Sequence, residues 1–158
     1  MNYFRLGKVR GINIHVNWSW LLIFALVSWS LSLTFGQIHQ EWPMNLRWGM
    51  AMLAAFLFFI SVLAHELAHS LVALARGVPV SNITLFMFGG VSNMLREPSS
   101  PAEELVITIV GPLTSLFLGG VCLVVGAEGI VVDARTLTEP AILSNLEPLN
   151  TTLAWLGS

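Results

Sequence analysis

Sixteen consecutive residues, Gly49 to Ala64, carry no charge, and the next five read His65-Glu66-Leu67-Ala68-His69. The apolar run then resumes from Ser70 to Ala75. A stretch of this length and character suits a helix that crosses a bilayer, which takes about 20 residues. In lipid, backbone polar groups must be satisfied within the segment, which again favours a helix. Positions i and i+4 share a helix face, so His65 and His69 point the same way. Two imidazoles so placed can hold one metal ion. Glu66, about 100° round the helix, is placed to take a proton from water on that metal. A lone histidine on an apolar face is ordinarily a satisfied packing residue. Two histidines and a glutamate within five residues of a lipid-spanning helix are costly unless paired or metal-bound, which favours the metal reading.

The remaining composition agrees with a membrane protein. Of 158 residues, 55% are hydrophobic and 10% charged, and mean hydropathy is +0.76. Soluble domains carry about 25% charged residues. Net charge is −2 with no basic tail, which argues against a nucleic-acid partner. The one cysteine, Cys122, lies in an apolar run and reads as a small packing residue. No cleavable signal pattern is evident after the first apolar run.

In chain order, Arg5, Lys8 and Arg10 precede an alternating Ile12-Asn13-Ile14-His15-Val16, which predicts a short interfacial strand. His15 is either a ligand or plain surface. Trp18 to Phe35 is the first predicted span, with Trp18 and Trp20 suited to an interfacial belt. Gly36 to Asn45 is a polar loop holding His39, Glu41 and Pro43. Leu46 to Arg76 is the second span, stopped by Gly77 and Pro79. Ile83 to Phe88 is apolar and β-prone, Gly89-Gly90 predicts a turn, and Val91 to Leu95 returns, giving a membrane-associated β-hairpin. Its open edge must face protein or a wet cavity, not lipid. Either it pairs with an extended substrate peptide, or it is a packing hairpin that closes a cavity.

Ser100-Pro101-Ala102-Glu103 is a capping box with proline at the first helical position, so a helix starts there and runs to about Gly126 as the third span. Gly111, Ser115 and Gly119 form a small-residue stripe that admits another helix. Pro112 frees the carbonyl of Thr108. His65 lies about 16 Å from the Arg76 end of its helix, and Gly111-Pro112 about 15 Å into the third span, so both fall at one level if those ends share a side. Residues 127–147 read as a loop or short amphipathic piece. Pro148 opens a new apolar run to Trp155-Leu156, too short to cross a bilayer, so the chain reads as ending inside a fourth span. With the N-terminus inside, Arg5, Lys8, Arg10, Arg76 and Arg96 face the cytosol and only Arg47 and Arg135 lie outside, which predicts a cytosolic N-terminus and hairpin.

A catalytic zinc takes three protein ligands and a water. Beyond His65 and His69 no third is evident: Glu103 and Glu104 lie about 10 Å too shallow, where capping explains them. Glu97 is at the hairpin base, and His39, Glu41, Glu128, Asp133, Glu139 and Glu147 fall on the outer side.

The HELAH motif at 65–69 within a span, FGGV at 88–91 and GPLTS at 111–115 together resemble the site-2 protease family of intramembrane zinc metalloproteases. The opening GINIHVNWSW at 11–20 is similar to the bacterial branch that often carries CBS domains. The resemblance covers nearly the whole chain, and these motifs in this order and spacing are highly specific. It implies one zinc on His65 and His69, Glu66 as general base, and Phe88, Gly89, Gly90 and Val91 in a hairpin beside the active site that contacts substrate. It also implies a bacterial inner membrane. The family takes its third ligand from an aspartate in an Asn-Pro…Leu-Asp-Gly segment, which residues 1–158 do not contain. Trp155-Leu156-Gly157 resembles the lead into that helix, so the chain reads as the N-terminal part of such a protease, with the third ligand in a continuation.

The expectation is therefore an all-α polytopic membrane protein with three full transmembrane helices, the start of a fourth and a membrane-associated hairpin. Residues 1–158 would form a single membrane-embedded metalloprotease domain, truncated at its C-terminus. Its partners would be the bilayer and a membrane-spanning protein or peptide, locally unwound so that a peptide bond is exposed. The alternative is an inactive relative that binds membrane peptides without cutting them. A metal transporter or sensor is a third reading, disfavoured because only one span carries polar ligands.

Overall fold

The computed structural model describes the backbone of residues 3–135 and 147–157, and the side chains of 3–126 and 148–157. The elements in order are β1 (Tyr3–Val9), β2 (Ile12–Asn17), α1 (Ser19–Ile38), α2 (Met44–Ala75), β3 (Val80–Phe86), β4 (Gly89–Met94), α3 (Pro101–Arg135) and α4 (Glu147–Gly157). Among the described residues, three helices are long and apolar enough to cross a membrane: Ser19–Ile38, Met44–Ala75 and Pro101–Gly126. The chain packs as two compact units, Met1–Ala25 with Phe59–Ser115, and Leu26–Phe58 with Leu116–Ser158.

The first unit holds a four-stranded sheet in the order β1-β2-β3-β4. The outer pairs are antiparallel and β2 runs parallel to β3. Alternation sorts the residues onto two faces. Ile12, Val16, Ile83 and Leu85 are buried on the inner face, against Val62, Leu63, Leu67 and Ala73 of α2 and Ile107 of α3. Asn13, His15, Asn82 and Thr84 alternate with them onto the outer face. His15 thus stacks with Tyr3 on the face away from α2, not beside the histidine pair. Trp18 is 52% exposed and packs on Phe4, whereas Trp20 turns inward onto Phe24 and Phe59.

The expectation of an all-α chain with one hairpin gives way here to a mostly helical chain with a four-stranded sheet. The hairpin is half of that sheet. The short strand expected near Ile12 becomes β2, and β1 joins it through Arg10 (φ 46) and Gly11 (φ 93), a two-residue turn with both φ positive. The hairpin turn is also displaced from Gly89-Gly90. Phe86 pairs with Gly89, so Met87 and Phe88 form the turn and both glycines lie in β4. A Gly-Gly pair is a turn signal locally. Here the second glycine answers to a close neighbour on α2 instead.

α2 ends where expected. Gly77 (φ 77) donates to the Leu74 carbonyl and Val78 to the Ala73 carbonyl, which is the Schellman closure. α3 begins at its cap: Glu103 N donates to Ser100 Oγ at 3.2 Å, and the Glu103 carboxylate accepts from Ser99 N. Both contacts belong to the helix end, as the capping reading of Glu103 requires.

In the second unit, Leu31, Phe35, Trp42, Met50, Ala51 and Ala54 form a buried cluster, with Trp155 of α4 against it. His39 stacks on Trp42 at 4.1 Å and pairs with Glu41 at 3.2 Å, so this loop is tied by its own contacts. A Cβ on Gly157 would overlap Leu123 Cγ and lie 2.7 Å from the Gly119 carbonyl. The close approach of α4 to α3 therefore depends on Gly157, whereas a Cβ on Gly119, from the small-residue stripe, would stand 3.7 Å from the Gly157 carbonyl, at ordinary contact. α3 itself continues to Arg135, past the end expected near Gly126. Glu128, Asp133 and Arg135 end the apolar run but do not forbid a helix, because no proline intervenes. The rest of the expected loop, 136–146, lies outside the described residues.

Candidate active site

The site is built on one turn of α2, with α3 on one side and β4 on the other. His65 and His69 turn toward α3. His69 Nδ1 lies 2.6 Å from the Ile107 carbonyl. A carbonyl can only accept, so Nδ1 carries a proton, and in the neutral ring Nε2 presents a bare lone pair. His65 Nδ1 lies 2.8 Å from Ser115 Oγ. The two Nε2 atoms face each other 3.1 Å apart. When Ser115 accepts, His65 also presents a bare Nε2, and the two lone pairs converge on a point that only a proton or a cation can occupy. Two nitrogens each ~2.0–2.1 Å from a tetrahedral zinc stand about 3.3 Å apart. The donor pair therefore fits zinc in type, tautomer and spacing, and its Nδ1 partners are of the kind that hold metal-binding imidazoles in place.

α3 comes this close because of Gly111. A Cβ there would overlap His69 Nε2 and lie 2.7 Å from His65 Nε2. The level match estimated from helix rise thus appears as direct contact between Gly111 and the histidine pair. Ser115, one turn later, meets the His65 imidazole of α2 by a hydrogen bond. The stripe Gly111, Ser115, Gly119 therefore divides: its first two members meet the histidines of α2, and Gly119 lies against α4.

Glu66 turns the other way, toward β4. Ser92 Oγ lies 3.1 Å from Glu66 Oε2 and 3.4 Å from the Glu66 carbonyl. Ser70, one helical turn after Glu66 and fully buried, donates to Ser92 Oγ at 2.9 Å. A Cβ on Gly90 would overlap Glu66 Cγ and lie 2.9 Å from its Cδ. Of the four hairpin residues singled out, Gly90 touches Glu66. Gly89 (φ 130) starts β4, Val91 is 52% exposed, and Phe88 at the turn is 84% exposed.

Among the described residues, no three His, Cys, Asp or Glu side chains come together. The Ile107 carbonyl, Ser70 and Ser92 carried no local signal in the sequence. Ser70 alone could have been suspected, because it stands four residues after Glu66 on the same helix face.

Residues 53–152 match the family described as Peptidase family M50. A protein of Synechocystis sp. named as a zinc metalloprotease is 42% identical over 120 residues, which are 74% of this chain and 31% of that protein. A zinc metalloprotease of Methanocaldococcus jannaschii is 38% identical over 126 residues, 79% of this chain and 33% of its own length. This chain thus spans about a third of the length of the curated relatives it matches. A solved structure of a site-2 protease from Methanocaldococcus jannaschii aligns with a TM-score of 0.57 at 30% identity, covering 99% of this chain and 62% of that one. The apolar helices, the paired imidazoles and these likenesses agree, and the chain belongs to peptidase family M50, the site-2 protease family of membrane metalloproteases.

Proposed function

We propose that this chain carries the working centre of an intramembrane zinc endopeptidase, with His65 and His69 as two of the zinc ligands and Glu66 as the general base. One observation carries the reading: both imidazoles aim Nε2 at a common point, 3.1 Å apart, while each Nδ1 is engaged. Zinc bound there supplies Lewis acidity to the scissile carbonyl and acidifies water. The Ile107 carbonyl holds the His69 tautomer, and Ser115 orients His65. Glu66 takes a proton from the attacking water and delivers it to the leaving amine, a role supported by its place in the sequence between the two histidines.

The substrate is a membrane-spanning peptide, unwound to an extended strand because a helix hides its own peptide bonds. β4 is an edge strand, so its outer backbone groups can take up such a strand, with Phe88, Gly89, Gly90 and Val91 lining the approach. One zinc per chain is expected. Residues 1–158 act as one membrane-embedded domain. The N-terminal strands and the hairpin face the cytosol of a bacterial inner membrane, a sidedness that rests on the Lys and Arg distribution.

The test is cleavage of a membrane-spanning peptide by the zinc-loaded chain in lipid. Glu66→Gln is expected to slow cleavage by about 10²–10⁴-fold, the usual worth of a general base. Turnover of the peptide at equal rates before and after the change would end the hydrolytic reading.

A further inference from the structure

Ser92 sits on the inner face of β4, opposite Ile83 and two residues from Gly90. That face also carries the buried Ile12, Val16, Ile83 and Leu85. A hydroxyl among such neighbours is unfavourable unless it is hydrogen-bonded. One explanation is plain packing, in which Ser70 and Ser92 satisfy each other between helix and sheet. The proton count points further. Each hydroxyl has one proton to give. Ser70 directs its own at Ser92 Oγ. The proton of Ser92 is left for Glu66, where Oε2 at 3.1 Å is nearer than the backbone carbonyl at 3.4 Å, and an ionised oxygen is the stronger acceptor. Ser70 could have bonded back to the carbonyl four residues earlier on its own helix, as buried serines often do, and instead points across to β4.

We propose that Ser92, backed by Ser70, is a positioning residue for Glu66. It holds Oε2 and leaves Oε1 as the oxygen that receives the proton. This rests on the general-base reading of Glu66. A glutamate side chain turns about three torsions. Gly90 provides the room for the rotamer that reaches β4, and Ser92 fixes it there. The edge strand and the base are then one mechanical piece, so a peptide seated on β4 is held in register with Glu66.

The experiment uses infrared spectroscopy and cleavage on the full chain in lipid. The Glu66 carboxylate stretch is isolated by subtracting the spectrum of Glu66→Gln. It is expected to shift in Ser92→Ala, to shift less in Ser70→Ala, and to move no further in the double variant than in Ser92→Ala. Ser92→Thr keeps a hydroxyl and suits a strand, so its band stays at the wild-type position. In cleavage, Ser92→Ala is expected to lower kcat by about ten- to a hundredfold, the worth of a hydrogen bond to a charged group, with KM unchanged and with recovery in Ser92→Thr. An unmoved band in Ser92→Ala overturns the proposal, and so does an equal loss of cleavage in Ser92→Ala and Ser92→Thr. A shifted band in a chain where wild type and Glu66→Gln turn the peptide over at equal rates upholds the clamp and overturns the hydrolytic reading alone.

Discussion

His65, Glu66 and His69 occupy little more than one helical turn and divide it between two neighbours, each of which meets them with a glycine. Gly111 of α3 faces the imidazoles and Gly90 of β4 faces the carboxylate. The two glycines should therefore fail differently. A methyl on Gly111→Ala takes the space of the Nε2 atoms, so zinc affinity falls about tenfold or more, as when the surroundings of metal ligands are disturbed. A methyl on Gly90→Ala displaces Glu66 and leaves the imidazoles alone, so zinc is kept while cleavage is lost. Zinc content under chelator competition, read beside peptide cleavage, separates them. Zinc lost only in Gly90→Ala would contradict the arrangement. At this scale the sequence disclosed the candidate residues better than their supports. The i, i+4 pair and the intervening glutamate were visible because helix geometry alone brings them together. The Ile107 carbonyl, Ser115 as a partner of His65, and Ser92 were not, because each depends on which element packs beside α2.

The helices were legible because an uncharged run of bilayer length has few other folds open to it. Their ends were legible where chemistry marks them, at the Ser100 start of α3 and the Gly77 stop of α2. The sheet was read only in parts. β2 and β3 are 62 residues or more apart along the chain, and their parallel pairing of Ile14 with Ile83 has no local signature. The Gly-Gly pair misplaced the turn because the same residues suit a turn or a close approach. The pairing carries a consequence for sidedness. β1 and β4 belong to one sheet, so they should lie on one side of the membrane, and the cation distribution is the ground for proposing that this side is cytosolic. In a Cys122→Ala background, an impermeant maleimide added to intact cells is expected to label Met44→Cys and to spare both Lys8→Cys and Asn93→Cys. Labelling of Lys8→Cys and Asn93→Cys from opposite sides would contradict the sheet. Labelling of both from outside would reverse the proposed orientation.

For the whole molecule, a 10% charged fraction and, among the described residues, three helices apolar enough to cross a membrane fit a lipid surrounding, and membership of a metalloprotease family makes a metal centre the chemistry to test. Every contact described for the histidine pair and for Glu66 falls within the first compact unit, Met1–Ala25 with Phe59–Ser115, while α4 and its glycine contacts belong to the second. The account stands on the imidazole pair as a metal-binding centre. The most direct test is zinc titration of the purified chain in lipid, in competition with a graded series of chelators. One zinc per chain is expected, with affinity lost in His65→Ala and in His69→Ala and kept in Glu66→Gln, whose side chain faces β4. Zinc bound equally well after both histidine substitutions would contradict the account at its centre.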